Sequence, residues 1–581
     1  MKRLLPLLAL LAACPAPPEE PPADPTPQPA PEPINPWNEG PWGTLVGETL
    51  GHFILPLRGE EEFNFRRQWN GEESYVFVQK RTSTSQLWEG DFGKLIEESP
   101  DTVHYFFVSN RTDWAADVDA IRADLDAEIA QLDDDAAAHW TAHLHVVDSK
   151  LDDVGGVVES VLDSFASQST GSWSPSGFAI DRFQRIRELG LMRFVTSDGS
   201  APREPWFLAS LPKYYDYEFN RETFLHETPA DETLVLWDDF PKPWGSATAI
   251  VDLPSAETMA TYDTLEIDLE MGCVDDVDAN CFEWDYKAHL AICEAPLADD
   301  PPPGECQPRE TDVDGNEITA ADTAACPCTS PYGGDAERLR TCQAVTDDDG
   351  EVVGSQWSEC ACECGPEIAR WITAYHREGR WLTDITPSLA MLQGGGPARF
   401  RFNTQYGYQL FGSLRFSNRG KESKPFAYLP LWGGGGYGAG YNDAHEPIEF
   451  EAPEGTTRVE VVAFITGHGF GSGRNCAEFC PHYHHFGLNG GVEQVQAYDE
   501  ADDYLGCYKQ IDDGTVPNQF GTWYLGRGGW CPGLDVPPYR ADLTDDLTAG
   551  TNTITYRSTI DGNEPNNGGS IWMSSYLVFY K

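Results

Sequence analysis

Three short segments of this chain carry residue types that could do chemistry. In the first, Cys273-Val-Asp-Asp-Val-Asp-Ala-Asn-Cys281-Phe-Glu-Trp284-Asp285, an acidic loop between two cysteines leads to a Trp-Asp pair at the mouth of a predicted strand. A carboxylate so placed, beside an indole, can be desolvated enough to hold its proton more tightly and still meet a ligand. The second, Cys476-Ala-Glu478-Phe-Cys480-Pro-His482-Tyr-His484-His485, closes a tight Cys loop on another carboxylate. The third, Trp523-Tyr-Leu-Gly-Arg527-Gly-Gly-Trp530-Cys531-Pro-Gly533, sets a cation beside a Trp. Two carboxylates can activate water and deliver a proton without a metal. On spacing alone, each segment also reads as a structural disulfide turn.

The histidines raise a metal reading. Side chains alternate along a strand, so of the three after Cys480 only His482 and His484 share a face; with His468 they could bind copper. With Met totalling only 6, a Met-rich copper segment is missing, and the chain is read as needing neither metal nor cofactor. Asp312-Val-Asp-Gly-Asn-Glu and Asp347-Asp-Asp-Gly-Glu hint at calcium but lack the EF-hand spacing and read as solvated turns.

The elements that must position these residues change character along the chain. Tyr75-Val-Phe-Val reads as strand, Asp91 to Glu98 as helix, Val103 to Val108 as strand, Ala115 to Leu132 as amphipathic helix, His143 to Val147 as strand and Val154 to Phe165 as helix. A strand and hairpin from Gly177 close the series. Strands alternating with helices imply an α/β domain, and the order over roughly residues 45 to 195 loosely resembles the thioredoxin-like fold. Its redox motif is missing: no cysteine occurs between 15 and 272. Beyond Thr233 the period shortens to two, as in Thr264-Leu-Glu-Ile-Asp-Leu-Glu270 and Arg458-Val-Glu-Val-Val-Ala-Phe464, which predicts antiparallel sandwiches. Pro430 to Asn442 is expected to be a Gly-rich loop without the Lys-Ser/Thr of a phosphate cradle.

Met1-Lys-Arg followed by the apolar run Leu4 to Leu11 is an export signal too short to span a bilayer. Leu11-Ala-Ala-Cys14 resembles the bacterial lipobox, implying lipidation at Cys14 and a lipoprotein anchored in the periplasm or on the cell surface. Residues 15–36 are mostly Pro with Glu and Asp, a semi-rigid tether. Setting Cys14 aside leaves an even number of cysteines, and in an exported chain disulfides are the default. Cys293, Cys306, Cys326, Cys328, Cys342, Cys360, Cys362 and Cys364 crowd an Asp-, Gly- and Pro-rich stretch that depends on bridges for order. With 39 Lys+Arg against 94 Asp+Glu, the net charge of −55 repels phosphate backbones and anionic lipid headgroups, so nucleic-acid binding is excluded.

Cys-x-Glu-Trp-Asp at 281 to 285, Gly-His-Gly and Cys-Ala-Glu-Phe-Cys between 467 and 480, and Arg-x-Gly-Trp-Cys-Pro-Gly at 527 to 533 together resemble the peptide:N-glycosidase F family, amidases that remove N-linked glycans from asparagine. The resemblance covers roughly residues 231 to 292 and 365 to 581. It implies a mainly β chain with two antiparallel eight-stranded jelly rolls side by side, after the α/β thioredoxin-like domain. It also implies that Asp285 and Glu478 are catalytic, and that Arg527, Gln405 and Trp284 bind substrate. Cys273 with Cys281, Cys476 with Cys480 and Cys507 with Cys531 would be bridges. Two positions depart from the family pattern: Gln405 where the family carries a third Glu, and Tyr286 where a basic residue follows the catalytic Asp.

The resulting organisation is a signal with lipidated Cys at 1–14, the tether at 15–36, the α/β domain at 37–230, a first jelly roll at 231–425 with a Cys-rich insert at 293–364, and a second at 426–581. The implied activity is hydrolysis of the glycan–asparagine amide in glycoproteins or glycopeptides by a monomer that meets the membrane only through its lipid. The alternatives are a glycan- or protein-binding module on the same scaffold and a copper-dependent oxygenase.

Overall fold

Every residue of Ser74-Tyr-Val-Phe-Val-Gln-Lys80 is buried, so this strand, β1, requires cover on both faces, as parallel strands do. β1 pairs in parallel with β2 (Val103–Ser109), which pairs in parallel with β3 (Leu144–Lys150). The short β4 (Gly177–Ile180) and β5 (Ile186–Glu188) join antiparallel, giving the order β3-β2-β1-β4-β5. A computed structural model of the chain describes residues 35–581 apart from 60, 82–84, 169–176, 191–203, 243–244, 275–276, 297–303, 313–315, 330–334, 347–351, 359, 361, 470–475 and 567. The expected export signal, Cys14, most of the expected tether and much of the two Asp-rich loops lie outside the described residues.

Helices α1 (Phe92–Glu98), α2 (Trp114–Ile129), α3 (Asp134–His143) and α4 (Gly156–Gln168) accompany this sheet. Val118, Ile121, Leu125 and Ile129 of α2 are buried at helical spacing, as the pattern predicts. α3 was not foreseen: Asp133 caps it by accepting the Ala136 N–H, but only Trp140 of the helix is buried, so it lacks an apolar stripe to read. A fifth helix, α5 (Ser210–Glu227), lies outside the sequence expectations as well.

The rest is β. The first sandwich has strands β6 (Glu232–Lys242), β7 (Gly245–Ser255), β8 (Thr264–Gly272), β9 (Lys287–Cys293), β10 (Cys364–Ile372), β11 (Gly379–Asp384), β12 (Gly395–Thr404) and β13 (Tyr408–Ser417). They form two antiparallel sheets ordered β11-β8-β13-β6 and β10-β9-β12-β7. Along β8, Leu265, Ile267, Leu269 and Met271 are buried in the core. The alternate Glu266, Asp268 and Glu270 pair with Arg415, Arg221 and Arg380. Arg221 comes from α5, so ion pairs to this helix cover part of the outer face that alternation alone would leave to water.

The second sandwich repeats the plan with β14 (Pro425–Gly436), β15 (Ile448–Glu451), β16 (Arg458–His468), β17 (Tyr483–Leu488), β18 (Gln494–Ala497), β19 (Tyr539–Asp542), β20 (Thr551–Thr559) and β21 (Ser570–Tyr580). Its sheets are ordered β14-β21-β16-β19 and β15-β20-β17-β18. The chain is thus mainly β, two antiparallel eight-stranded jelly rolls after an α/β sheet. The loop expected from Pro430 is corrected here: β14 continues as paired strand to Gly436. A Cβ at Gly434 would lie 1.9 Å from the Ile571 carbonyl oxygen, so glycine serves a close approach of backbones there.

Two devices fix one sandwich against the other. The two-residue strand Leu534–Asp535, which follows the second sandwich's β18 in the chain, pairs with Trp371 and Ile372 of β10. From β10, the fully buried Arg370 pairs with Glu367 and donates to Thr466 Oγ1 of β16 at 2.9 Å and to the Trp572 carbonyl of β21 at 2.8 Å. Truncating such a charge would leave Glu367 buried without its partner, a cost of about 3 kcal/mol.

Among the described residues seven disulfides are present: Cys273–Cys281, Cys293–Cys364, Cys306–Cys342, Cys326–Cys360, Cys328–Cys362, Cys476–Cys480 and Cys507–Cys531. Such density belongs to a chain that folds in an oxidising compartment. Cys293 and Cys364 face each other across β9 and β10, so their bridge clamps the base from which the insert leaves the sandwich.

Candidate active site

Asp285 sits in the turn between the Cys273–Cys281 loop and β9, and its backbone is held on both sides by Thr373, just past β10. Thr373 Oγ1 donates to the Trp284 carbonyl at 2.7 Å and accepts the Tyr286 N–H at 2.8 Å, while the Thr373 N–H donates to the Tyr286 carbonyl at 2.9 Å. His376 extends the clamp, its N–H donating to the Phe282 carbonyl at 2.8 Å. The Tyr375 hydroxyl donates to the Asp285 carboxylate. Burial raises the Asp285 pKa above the usual carboxylate range, opposed by the Tyr375 hydrogen bond and by Arg527.

Glu478 comes from the other sandwich, in the Cys476–Cys480 loop. Its Oε2 accepts the Gly469 N–H at 3.0 Å, and its carbonyl accepts the Gly528 N–H at 2.7 Å. A Cβ at Gly528 would lie 2.3 Å from the Ala477 carbonyl oxygen and 2.4 Å from His482 Nε2, so the loop seats against this strip of chain only because the side chain is missing. Arg527 Nε lies 3.2 Å from Glu478 Oε1, an ion-pair contact. Burial raises the Glu478 pKa as well; Arg527 and the Gly469 N–H oppose that rise and the charge of Asp285 adds to it. The two carboxylates are therefore electrostatically in touch across the sandwich boundary, with one guanidinium acting on both.

Arg527, expected to bind substrate, lies buried beside Glu478. Its side chain is only 1% exposed, and the guanidinium donates to the carbonyls of Leu525 and Thr522 and to Thr522 Oγ1. It also stacks over Phe479 at 4.3 Å and Trp530 at 5.3 Å. Those partners turn it toward Glu478 rather than toward solvent. Trp284, by contrast, is 51% exposed, an indole lip next to the half-buried Asp285. Gln405 is exposed at the bend after β12, and the adjoining Tyr406 stacks on Phe282 at 4.0 Å and leans on Tyr286 at 5.0 Å. A hydrogen bond with Tyr406 pushes the Tyr286 pKa up to about 12.

The histidines are engaged otherwise than the copper reading requires. His482 and His484 are fully buried and share a 2.9 Å hydrogen bond. The outer nitrogens meet the Ala477 carbonyl at 3.0 Å and the Tyr556 hydroxyl at 2.7 Å. His468 is packed between Trp530 and Trp572 and contacts Thr466 Oγ1 at 2.9 Å.

Residues 436–578, which carry Glu478 and Arg527, match the family described as Peptide-N-glycosidase F, C terminal. The chain is peptide-N-glycosidase F-like. It is 27% identical over 152 residues to peptide-N(4)-(N-acetyl-beta-D-glucosaminyl)asparagine amidase F of Elizabethkingia miricola, a span of 25% of this chain and 41% of that relative. Among solved structures, one of a peptide-N(4)-(N-acetyl-beta-D-glucosaminyl)asparagine amidase covers 60% of this chain and 96% of its own at 19% identity and a TM-score of 0.39. PNGase F, a glycosylasparaginase from Flavobacterium meningosepticum, covers 60% and 95% at 18% identity and a TM-score of 0.38.

In this peptide-N-glycosidase F-like chain, Asp285, Trp284, Glu478 and Arg527 gather at the meeting of the two sandwiches, and Gln405 stands at the end of the strand next to β9. Sequence reasoning missed Thr373 and Tyr375. Thr373-Ala-Tyr375 is nearly 90 residues from Asp285, past the insert, and carries neither a cysteine nor a recognisable spacing.

Proposed function

We propose that the chain hydrolyses the amide joining an N-linked glycan to asparagine, leaving aspartate in the peptide and releasing a glycosylamine. The observation that carries this reading is the pair of half-buried carboxylates with raised pKa, Asp285 and Glu478, within electrostatic reach of each other from separate sandwiches beside one guanidinium. Groups tuned upward by burial are suited to exchanging protons near neutral pH. Asp285 takes a proton from the attacking water as its oxygen bonds to the amide carbonyl, and a proton passes to the departing nitrogen when the C–N bond breaks. Glu478, held by Gly469 and Arg527, orients the water or the substrate. Trp284 offers a face on which a sugar ring stacks.

The substrate is an N-glycosylated protein or peptide, and the amidase relative supports that class. We assign the chain to the cell envelope as a monomer tethered through lipid on Cys14, ahead of an α/β domain over 37–230. Residues 37–581, made in an oxidising compartment, are incubated with a denatured glycoprotein beside an Asp285→Ala control. Mass spectrometry then looks for Asn converted to Asp at the glycosylated site. Conversion by wild type alone supports the reading. Glycopeptide bound without conversion by a folded protein sinks it in favour of a binding module.

A further inference from the structure

Away from the sandwiches, three side chains from distant parts of the α/β sheet turn ligand atoms on one another. Glu73 immediately precedes β1, His104 lies on β2 and His143 ends α3. Glu73 Oε2 is 3.1 Å from His104 Nε2, Glu73 Oε1 is 3.6 Å from His143 Nε2, and one donor atom from each residue lies within 4.8 Å of the others. A tetrahedral zinc ion about 2.0 to 2.2 Å from nitrogen and oxygen ligands sets neighbouring ligand atoms roughly 3.3 to 3.5 Å apart. Both carboxylate separations bracket that spacing.

The second nitrogens point the same way. His143 Nδ1 contacts the His139 carbonyl at 2.7 Å, a contact that only an N–H can satisfy. In neutral His143 the Nε2 lone pair must then face the Glu73 carboxylate, and Nε2 is buried without a hydrogen bond. Lone pair against carboxylate is repulsive, and a cation between them removes the conflict. His104 Nδ1 contacts His145 Nε2 at 3.0 Å, so both candidate ligands have the opposite ring nitrogen anchored, as metal-bound histidines do. His139 lies one turn before His143 on α3, its ring stacked at 3.9 Å and its Nε2 buried without a hydrogen bond.

We propose that Glu73, His104 and His143 form a zinc site that ties the approach to β1, strand β2 and the end of α3 together. Two imidazoles and a carboxylate occupy three positions of the ion. The partial exposure of Glu73 leaves the fourth to water.

The test uses the full chain without a histidine tag and with its disulfides intact, stripped with a chelator, offered zinc and freed of excess. The metal is then counted by mass spectrometry. Wild type is expected to retain about one zinc per chain. Glu73→Gln and His143→Gln should each bind at least tenfold more weakly, and His226→Ala, on α5, should match wild type. A wild type that holds no zinc overturns the proposal in favour of a carboxylate–imidazolium pair, and variants that hold as much as wild type overturn it too. Should a substitution prevent folding, X-ray absorption of the wild-type zinc protein decides. A first shell of two imidazoles with oxygen supports the site, and a shell containing sulfur overturns it.

Discussion

Tyr375 donates its hydroxyl to the Asp285 carboxylate, and Thr373, two residues earlier, fastens the backbone on both sides of that aspartate. This three-residue stretch after β10 gives Asp285 a fixed position and part of its pKa. Tyr375→Phe keeps the ring and removes the donor. Burial then acts with less opposition and the Asp285 pKa climbs further. In the proposed hydrolysis the carboxylate form acts, so the acid limb of the kcat/KM profile should move up by about one pH unit, the scale of one hydrogen bond to a charged group. A profile that drops evenly at all pH values would contradict this.

Glu478→Gln should displace the same limb in the opposite direction. The charge of Asp285 raises the Glu478 pKa, and the coupling is mutual, so neutralising Glu478 lets Asp285 ionise more easily. Arg527 would also lose its ion-pair partner in a buried place, which should lower stability by about 3 kcal/mol in denaturant unfolding. An acid limb moving upward in this variant would refute the coupling.

Trp284→Ala tests the exposed indole. Half-exposed, it contributes little to the core, so the melting temperature should stay within the range of surface substitutions. Loss of a stacking face worth about 1 kcal/mol should raise KM for a glycopeptide roughly fivefold with little change in kcat.

Gly528→Ala probes how the Glu478 loop is seated. The added methyl meets the Ala477 carbonyl oxygen at 2.3 Å and His482 Nε2 at 2.4 Å, and backbone cannot yield cheaply. Activity should fall at least tenfold and stability by about 2 kcal/mol, whereas alanine at Gly435, where a Cβ meets nothing within 4 Å, should do neither.

Asp535, in the two-residue strand that joins the sandwiches, accepts from Thr383 Oγ1 at 2.7 Å, yet burial pushes its pKa up to about 6. The folded chain therefore binds a proton that the unfolded chain has released above about pH 4. Stability falls as pH rises from about 4 to 6 and then levels, a loss of about 3 kcal/mol. Asp535→Asn should flatten that decline in urea titrations run across the window.

Much of the candidate site was legible because its residues sit in compact motifs. Asp285 and Glu478 stand out through cysteines and aromatics within a few positions, and the alternation along β8 and β16 announces strands wherever one face is apolar. The helix α3 gave no such signal, since its one buried residue leaves nothing periodic. The glycines of β14 imitate a loop because the reason for Gly434 lies in another strand.

The sequence by itself determined which residues could carry charge, bridge or pack, since those are properties of side chains and their spacing. Only tertiary structure decided that Arg527 is buried against Glu478, that Tyr375 reaches Asp285 from beyond an insert, and that Glu73 meets two histidines. Each of those contacts joins residues far apart in the chain. They arise when buried groups such as Arg370 fix whole sheets against one another, an outcome of packing that local pattern does not encode.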